Sequence, residues 1–470
     1  MSDVKDLSYD VIVTGGGPAG IVAAIAAART GARTLLIEGG GFVGGVAAMG
    51  LPFQGVYTNN EERIIGGIGW ELIQRLIDLG AAADVRNVGV GLPRGKGSPK
   101  FNARWISYHP EALKFVALEM LYEAGVELLL HTTISDVHHE GGIVGGVIIH
   151  NKSGRQTLHA TCIVDATGDG DIAVRAGAPF EKGQRGALQP MTLTFTMSQV
   201  DLQATVAAGR AVRLPHEVVA GHARWHDPRF GSYDVDLKPD AAAVKRAFPG
   251  FGDIVTEVNM KDLRDGVFHG GNMVHIPNLD GSDGGQLSKA EFDSRRLVYQ
   301  LGLFLREHVP GFEDAHTVST SARIGVRETR RVLGAYTLTY DDVVDGRRFD
   351  DVVVLGGYRV DIHGYDGGPV YVEPTKGTQV KDLGSYDIPY RCLVPHGVEN
   401  VLMAGRCVSA THTAQGSLRV MGTAMGMGHA TGTAAALAVQ AGIPVSALDV
   451  GSLQATLLRQ GAHLGTLATT

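Results

Sequence analysis

The first apolar run of the chain, Val11–Thr14, is short, β-branched and uninterrupted, as in a strand buried on both faces. A glycine-rich turn follows, and the alanine-rich stretch Ile21–Arg29 predicts a helix that Gly31 closes. Thr34–Ile37 predicts a second buried strand, ending at Glu38. The alternation of apolar and polar positions then loses its period, from GGGFVGG through PRGKGSP to NARWISYHP, which predicts one long loop. Loops of that length inside a domain are usually functional. Helical period returns in Glu111–Ala124, behind Pro110 and ahead of Gly125, and Val126–Thr132 reads as a strand. Ile134–His139 and Ile143–Asn151 read as a hairpin or small meander, completed by Gln156–Ala160. Thr161–Asp171 (TCIVDATGDGD) is another apolar strand running into a Gly/Asp turn.

Beyond Pro190 the pattern changes. MTLTFTMS alternates as a strand of an antiparallel sheet does, and Val206 to Arg347 mixes helical and irregular stretches. Val352–Leu355 is again an apolar strand, and so is Asn400–Ala404. The latter runs through GRCVSATHTAQGS into a long helix of small residues, LRVMGTAMGMGHATGTAAALAVQAG. Nucleotide-binding pattern thus stands at both ends of the chain, with a different block between.

Composition narrows the class. At 470 residues the chain exceeds one small core, so two domains or one elaborated domain are expected. A net charge of −7 without a basic tract argues against a nucleic-acid partner. The 65 glycines cluster instead of repeating, which favours backbone–ligand contact over disorder. Cys162, Cys392 and Cys407 show no C-x-x-C spacing, so no disulfide framework, metal site or iron–sulfur cluster is expected. No basic segment precedes an apolar one near the start, so no signal peptide is expected, and no apolar run is long enough for a membrane span. The expectation is a cytoplasmic protein, with a homo-oligomer allowed.

Gly15, Gly17 and Gly20 fall at G-x-G-x-x-G spacing between the first strand and the first helix. Gly15 permits the tight turn, Gly17 lets backbone approach a pyrophosphate, and Gly20 allows close helix–strand packing. The helix N-terminus, entered through Pro18 and Ala19, offers N–H groups and positive dipole to the phosphates. Glu38, at the tip of the second strand, suits the adenosine ribose hydroxyls. Strand, turn, helix, strand and acid stand in order, so dinucleotide binding is expected. This stretch alone leaves NAD and FAD open.

The choice is made by resemblance. The marks are VIVTGGGPAG at Val11–Gly20, IVDATGDGDIAVRAGAPFEKG at Ile163–Gly183, and IGVRETRRVLGAYTLTYDDV at Ile324–Val343. They continue with DIHG at Asp361–Gly364, IPYRCLVP at Ile388–Pro395, and NVLMAGRCVSATHTAQGSLRVMGTAMGMGHATGTAAAL at Asn400–Leu437. Over nearly its whole length the chain resembles the FAD-dependent oxidoreductase family of the glutathione-reductase-like flavoproteins, with two dinucleotide-binding domains. It is distantly akin to the fumarate reductase and succinate dehydrogenase flavoproteins.

The resemblance implies an α/β fold: a discontinuous, Rossmann-like, glutathione-reductase-like FAD-binding domain with an inserted α+β substrate or cap domain. The expected boundaries are 1–185 and 389–470 for the FAD-binding parts and 186–388 for the insertion. By the same resemblance Gly15, Gly17, Pro18, Ala19, Gly20 and Glu38 hold the ADP half of FAD, and Gly44 and Gly45 lie in the loop beyond it. Thr133 and Ile134 fall near the adenine, and Ala166, Thr167, Gly168 and Asp169 near the pyrophosphate. Gly405 and Arg406 match the position before the ribityl chain; Arg419, Val420 and Met421 match a helix start beside the pyrimidine ring. The loop after Glu38 has no His, so non-covalent FAD is expected. Gly405 is followed by Arg where many flavoproteins have Asp, which speaks against a hydroxylating monooxygenase. Gly422, Gly426, Gly428 and Gly432 have two readings: tight helix packing, or clearance for a helix N-terminus that faces the flavin C2 carbonyl.

Flavin chemistry on a small-molecule substrate calls for a proton acceptor or donor and, for a carboxylate, cations. His363 is a loop histidine that either does acid/base work or fixes its loop. His412 is expected near the flavin, in catalysis or in cofactor positioning. Arg327, Arg330 and Arg331, read as one helical face beside Glu328, form either a solvated surface or an inward hold on a carboxylate or the flavin. Arg391 is a further candidate for an anionic group, and Tyr108 and His109 for pocket lining. The expected activity is oxidation of a CH–OH or CH–NH donor by hydride transfer to flavin N5, with oxygen, a quinone or a carrier as acceptor. The alternatives are a reductase of an activated C=C bond and a non-catalytic or tRNA-modifying flavoprotein.

Overall fold

Strand β1, Ser8–Thr14, pairs in parallel with β2, Thr34–Ile37, through Val13 opposite Leu36. On its other side it pairs in parallel with strand Gly154–Asp165, through Val13 opposite Val164. All of these facing residues are buried, which is why the runs are apolar without alternation. Strand Glu127–Leu129 extends the parallel sheet beyond β2, and Val401–Met403 adds in parallel to the end of Gly154–Asp165. The two expected pieces Gln156–Ala160 and Thr161–Asp165 are one continuous strand. Its first half pairs antiparallel with Ile143–Asn151, which pairs antiparallel with Thr133–Glu140, so the expected meander hangs from the parallel core.

These relations come from a computed structural model that describes residues 8–87, 103–184, 186–213, 216–221, 233–249, 261–264, 266–363 and 377–465. It is a mixed α/β protein with a Rossmann-like parallel core. A second sheet is antiparallel throughout and runs Ala211–Arg213, Tyr233–Val235, Lys261–Arg264, Gly266–Ile276, Met191–Val200, His316–Thr320. With the long helix Gly284–His308 it encloses its own apolar cluster, drawn from residues between Met191 and Ile324. Residues from Val332 onward pack into the first cluster instead, including both strands Val352–Gly356 and Tyr386–Pro389.

Helix α1, Pro18–Arg29, packs along the helix Met421–Ala441. A Cβ on Gly428 would run into Ala19 O and one on Gly432 into Ala23 O, so the two helices run in the same direction at backbone distance. Gly422 meets the backbone of Gln54 and Gly55, and Gly426 meets Val354 Cγ1. All four glycines therefore serve protein packing, and the clearance reading is not needed for them. The parallel alignment also sets a distance. Met421 lies seven residues ahead of Gly428, so this helix starts roughly 10 Å beyond the start of α1.

Two expectations fail. The segment after Glu38 is not one loop: Gly67–Asp78 is a helix that buries Ile68, Leu72, Ile73 and Leu76. Ala82–Asn87 and Ala103–Tyr108 pair as antiparallel strands; the PRGKGSP stretch lies outside the described residues. The flanking glycines hid a helix whose apolar stripe is regular. Nor do Arg327, Arg330 and Arg331 share a helical face. Arg330–Val332 is a strand paired with Phe180–Lys182, and extended backbone sends neighbouring side chains to opposite sides. Among the described residues no helix is long and apolar enough to cross a membrane.

Candidate active site

The turn between β1 and α1 is shaped by its glycines for different reasons. Gly15 has φ +95°, and a Cβ there would lie 2.5 Å from Ala166 O. A Cβ on Gly20 would collide with Gly15 O. Gly17 has no protein atom within 4 Å of where its Cβ would be, so the protein's own packing does not require glycine there. It is the N-cap of α1 and gives no side-chain cap; Pro18 occupies the first helical position, where a missing N–H costs nothing. Helix geometry leaves the N–H groups of Ala19 and Gly20 without intrahelical partners. Gly44 N donates to Gly16 O at 2.7 Å, and a Cβ on Gly45 would sit 2.9 Å from Gly17 Cα, so the second glycine loop lies on the first.

Glu38 is buried at the end of β2, beside this turn. Its Oε2 accepts from Gly16 N at 2.8 Å, and its Oε1 from Gly40 N at 2.7 Å and Arg323 Nη2 at 2.9 Å. A carboxylate has about four acceptor positions, so one remains. Thr132 N donates to the Glu38 backbone carbonyl at 3.1 Å, so the strand that carries Thr133 and Ile134 starts next to Glu38. Across the turn, Ala166 N donates to Thr14 O at 2.9 Å. Thr167 is fixed by Asp165, whose buried carboxylate also accepts from Ile172 N and Ala173 N. Burial, against these hydrogen bonds, pushes the Asp165 carboxyl up. Gly168 makes room for Arg406, whose Nη2 donates to Asp169 Oδ1 at 3.1 Å. Gly405, at φ +93°, faces Ala19.

A second constellation gathers at the leading end of Met421–Ala441, where Arg419 and Val420 precede the helix. Arg327 donates to Pro190 O at 2.6 Å, to Thr192 Oγ1 and Asn272 Oδ1, and to His275 Nε2 at 3.3 Å. Arg419 Nη2 donates to Asp361 O at 3.1 Å and Gln189 Oε1 at 3.4 Å. Gln189 Oε1 also accepts from His363 N at 3.3 Å, and Gln415 Nε2 donates to Arg327 O at 3.0 Å. The His363 ring stands edge-on to His275, with centroids 5.2 Å apart, and its Nε2 is 3.7 Å from Asp361 Oδ2. Burial, then the charge of Arg419, pulls the Arg327 guanidinium down to about 9. Burial likewise lowers Arg419, and burial with the charge of Arg327 keeps His275 neutral, well below the usual histidine range. Arg327, Arg419 and His363 nevertheless keep some accessible surface, so none of the three is sealed into a core.

The other expected residues have different places. His412 is buried on the far side of Gln415, with Nδ1 2.8 Å from Glu328 Oε1. That carboxylate also takes Arg331, which further donates to Ala410 O and Gly183 O. Arg330 serves Asp169 O and Asp171. Arg391 is half exposed and forms a two-pronged pair with Asp351, and no hydrogen bond described links it to Arg327, Arg419 or His363. Tyr108 stacks on Phe53 and donates to Ala47 O, while His109 caps the helix Pro110–Glu123 through Nδ1. His275, Asn272 and Gln189 were missed. In sequence they look like ordinary positions of a buried strand and its approach, and only Gln189 before Pro190 carried a local signal.

Among the described residues no group of three or more His, Cys, Asp or Glu could hold a metal ion. A dinucleotide fits the chain better. A glycine with open space stands beside free helical N–H groups, and two guanidinium atoms farther on, Arg406 Nη1 and Arg419 Nε, are buried without hydrogen-bond partners.

Comparison with known proteins agrees. Thiamine thiazole synthase of Aeropyrum pernix is 33% identical over 199 residues, 40% of this chain and 64% of the synthase. Protein FixC of Salmonella typhi is 32% identical over 142 residues, 30% of this chain and 32% of FixC. The chain thus spans less than two thirds of the length of either relative. A geranylgeranyl bacteriochlorophyll reductase-like protein from Thermoplasma acidophilum superposes with a TM-score of 0.42 at 14% identity, covering 97% of this chain and 84% of that one. A flavin-dependent brominase gives 0.43 at 14%, covering 96% and 83%. These superpositions are too loose to carry an argument about chemistry. The sequence model described as FAD dependent oxidoreductase, however, matches residues 10–457, nearly the whole length. The chain belongs to the FAD-dependent oxidoreductase family.

Proposed function

We propose that this flavoprotein oxidises a small or medium polar organic substrate at a CH–OH or CH–NH group and passes the electrons to oxygen, a quinone or another external carrier. The observation that supports this reading is the convergence of His363, Arg327 and Arg419, tied together through Gln189 and Gln415, at the leading end of Met421–Ala441. FAD, when bound, supplies a two-electron acceptor at flavin N5. The substrate C–H bond gives up its hydrogen with the electron pair, and the O–H or N–H proton goes to the His363 imidazole, near Asp361. Neutral His275 and Gln189 orient that loop and its ring.

The Gly15–Gly20 turn and Ala166–Asp169 are assigned to the pyrophosphate, and the last acceptor position of Glu38 to the ribose. Thr133 and Ile134 are assigned to the adenine, Gly405 and Arg406 to the ribityl side, and Arg419–Met421 to the pyrimidine. FAD is held without a covalent bond on this reading. Residues 1–185 and 389–470 form a glutathione-reductase-like unit, and the second sheet, within 186–388, acts as the cap.

The test is anaerobic: the yellow holoenzyme is mixed with hydroxy and amino compounds and flavin bleaching is followed. His363→Ala is expected to slow bleaching about 100-fold or more while FAD content stays unchanged. An unaltered rate removes His363 as the base. The paired arginines favour one second reading, reduction of an activated C=C bond. Reoxidation of pre-reduced enzyme by an unsaturated acid, with no bleaching by any donor, would establish that instead.

A further inference from the structure

Among the described residues, the charges beside Arg327, Arg419 and His363 do not all pair off by hydrogen bonds. Two carboxylates approach these three among the described residues, Asp361 and Glu328. Asp361 is paired with Arg359 at 3.3 Å, and Glu328 with Arg331 and His412. Arg327 and Arg419 feel the charge of Asp361 but hydrogen-bond to no carboxylate among the described residues: every hydrogen bond described for them goes to a neutral acceptor, two carbonyls, a hydroxyl, two side-chain amides and a neutral imidazole. Guanidinium groups largely withdrawn from water are costly unless a carboxylate hydrogen-bonds to them. Arg419 Nε and His275 Nδ1 are both buried without hydrogen-bond partners. The two arginines are anchored from different sides. Arg327 hangs on the antiparallel sheet through Thr192, Asn272 and His275, and Arg419 on the loop of Asp361 and on Gln189. The two anchorages are joined by the Gln189 Nε2–Gln415 Oε1 hydrogen bond, 3.3 Å, since Gln189 accepts from Arg419 and Gln415 donates to Arg327 O.

We propose that the substrate of this site is a small organic carboxylate anchored by Arg327, which distinguishes substrates, with Arg419, assigned above to the pyrimidine, placing the flavin beside it. The proposal rests on the oxidoreductase reading for where the site lies, but it concerns binding and not the reaction. A guanidinium matches a carboxylate with two parallel hydrogen bonds, which an ammonium cannot copy. The carboxylate supplies the hydrogen-bonded counter-charge, and the carbon beside it comes within reach of His363. An uncharged amide of the same shape satisfies the geometry but leaves Arg327 without that charge.

The experiment uses oxidised holoenzyme, without turnover. Lactate, acetate and succinate are titrated against lactamide and acetamide, with flavin absorbance change and calorimetry as readouts. The expected result is saturable binding of at least one carboxylate and about tenfold or weaker binding of its amide. Arg327→Met is expected to weaken the carboxylate about tenfold or more, with FAD content and the free flavin spectrum unchanged. Arg327→Lys is expected to recover only part of that loss. If Arg327→Met does not fold, the wild-type comparison of acid with amide still decides. Equal binding of acid and amide, or carboxylate binding unaffected by Arg327→Met, overturns the proposal. An effect of Arg419→Met on the flavin spectrum alone supports the assignment of that arginine to the cofactor. Carboxylate binding without bleaching by any hydroxy or amino acid keeps this inference and rejects the oxidation. Bleaching by neutral alcohols without carboxylate binding does the reverse.

Discussion

Gly17→Ala separates a glycine needed by the fold from one needed by a ligand. Gly17 has φ −77° and ψ −177°, extended backbone that alanine adopts freely, and its Cβ would touch no protein atom within 4 Å. In FAD-free protein the substitution is therefore neutral or stabilising by about 0.4–1 kcal/mol, through the unfolded chain. With FAD the sign reverses, because a methyl group occupies the space through which backbone approaches the pyrophosphate. Losing one charge-assisted hydrogen bond there costs about 1.5–3 kcal/mol, or roughly ten- to a hundredfold in affinity. Gly20→Ala is the contrast: its Cβ collides with Gly15 O, and overpacking of about 1–3 kcal/mol should appear before any FAD is added. The assay is thermal unfolding of both apoproteins beside the wild type, followed by fluorescence titration with FAD. Wild-type FAD affinity in Gly17→Ala, or an apoprotein destabilised as much as Gly20→Ala, would refute the reasoning.

Two further outcomes follow from buried charge. Arg331→Met leaves Glu328 buried with His412 alone, and breaking such a pair costs about 3–5 kcal/mol; guanidinium unfolding should show a lower midpoint, and an unchanged one would mean the network contributes nothing. His429, buried and bonded to Gln460, is held at about 4 by burial, below its ordinary 6.5. The unfolded chain takes up that proton first, so this contribution is complete above pH 6.5 and is lost as pH falls toward 4. The loss is roughly 3 kcal/mol, and His429→Gln should flatten that part of the stability profile.

How much of the site was legible differs residue by residue. Gly15, Gly20 and Glu38 were readable because the strand–turn–helix–strand unit is local: its spacing alone puts the acid beside the turn. Gly428 and Gly432 were readable as glycines that matter, but their partner, the backbone of α1 some four hundred positions earlier, was not. Arg330 and Arg331 were placed on one helical face with Arg327 because helical spacing was assumed, whereas Arg330–Val332 pairs with Phe180–Lys182. Edge pairing is a tertiary choice, and it reassigns every side chain along the segment.

The sequence by itself determined the apolar strands of the parallel core, the phosphate turn and the acid behind it. Each depends on neighbours within about one supersecondary unit, where sterics and burial pattern suffice. The tertiary structure decided what stands at the other end of the long helix. Gln189, His275, Arg327, His363 and Arg419 come from separate elements, and only the packing of the antiparallel sheet against the parallel core brings them together. That Arg327 and Arg419 hydrogen-bond to no carboxylate among the described residues is a property of that gathering and of no single stretch of chain.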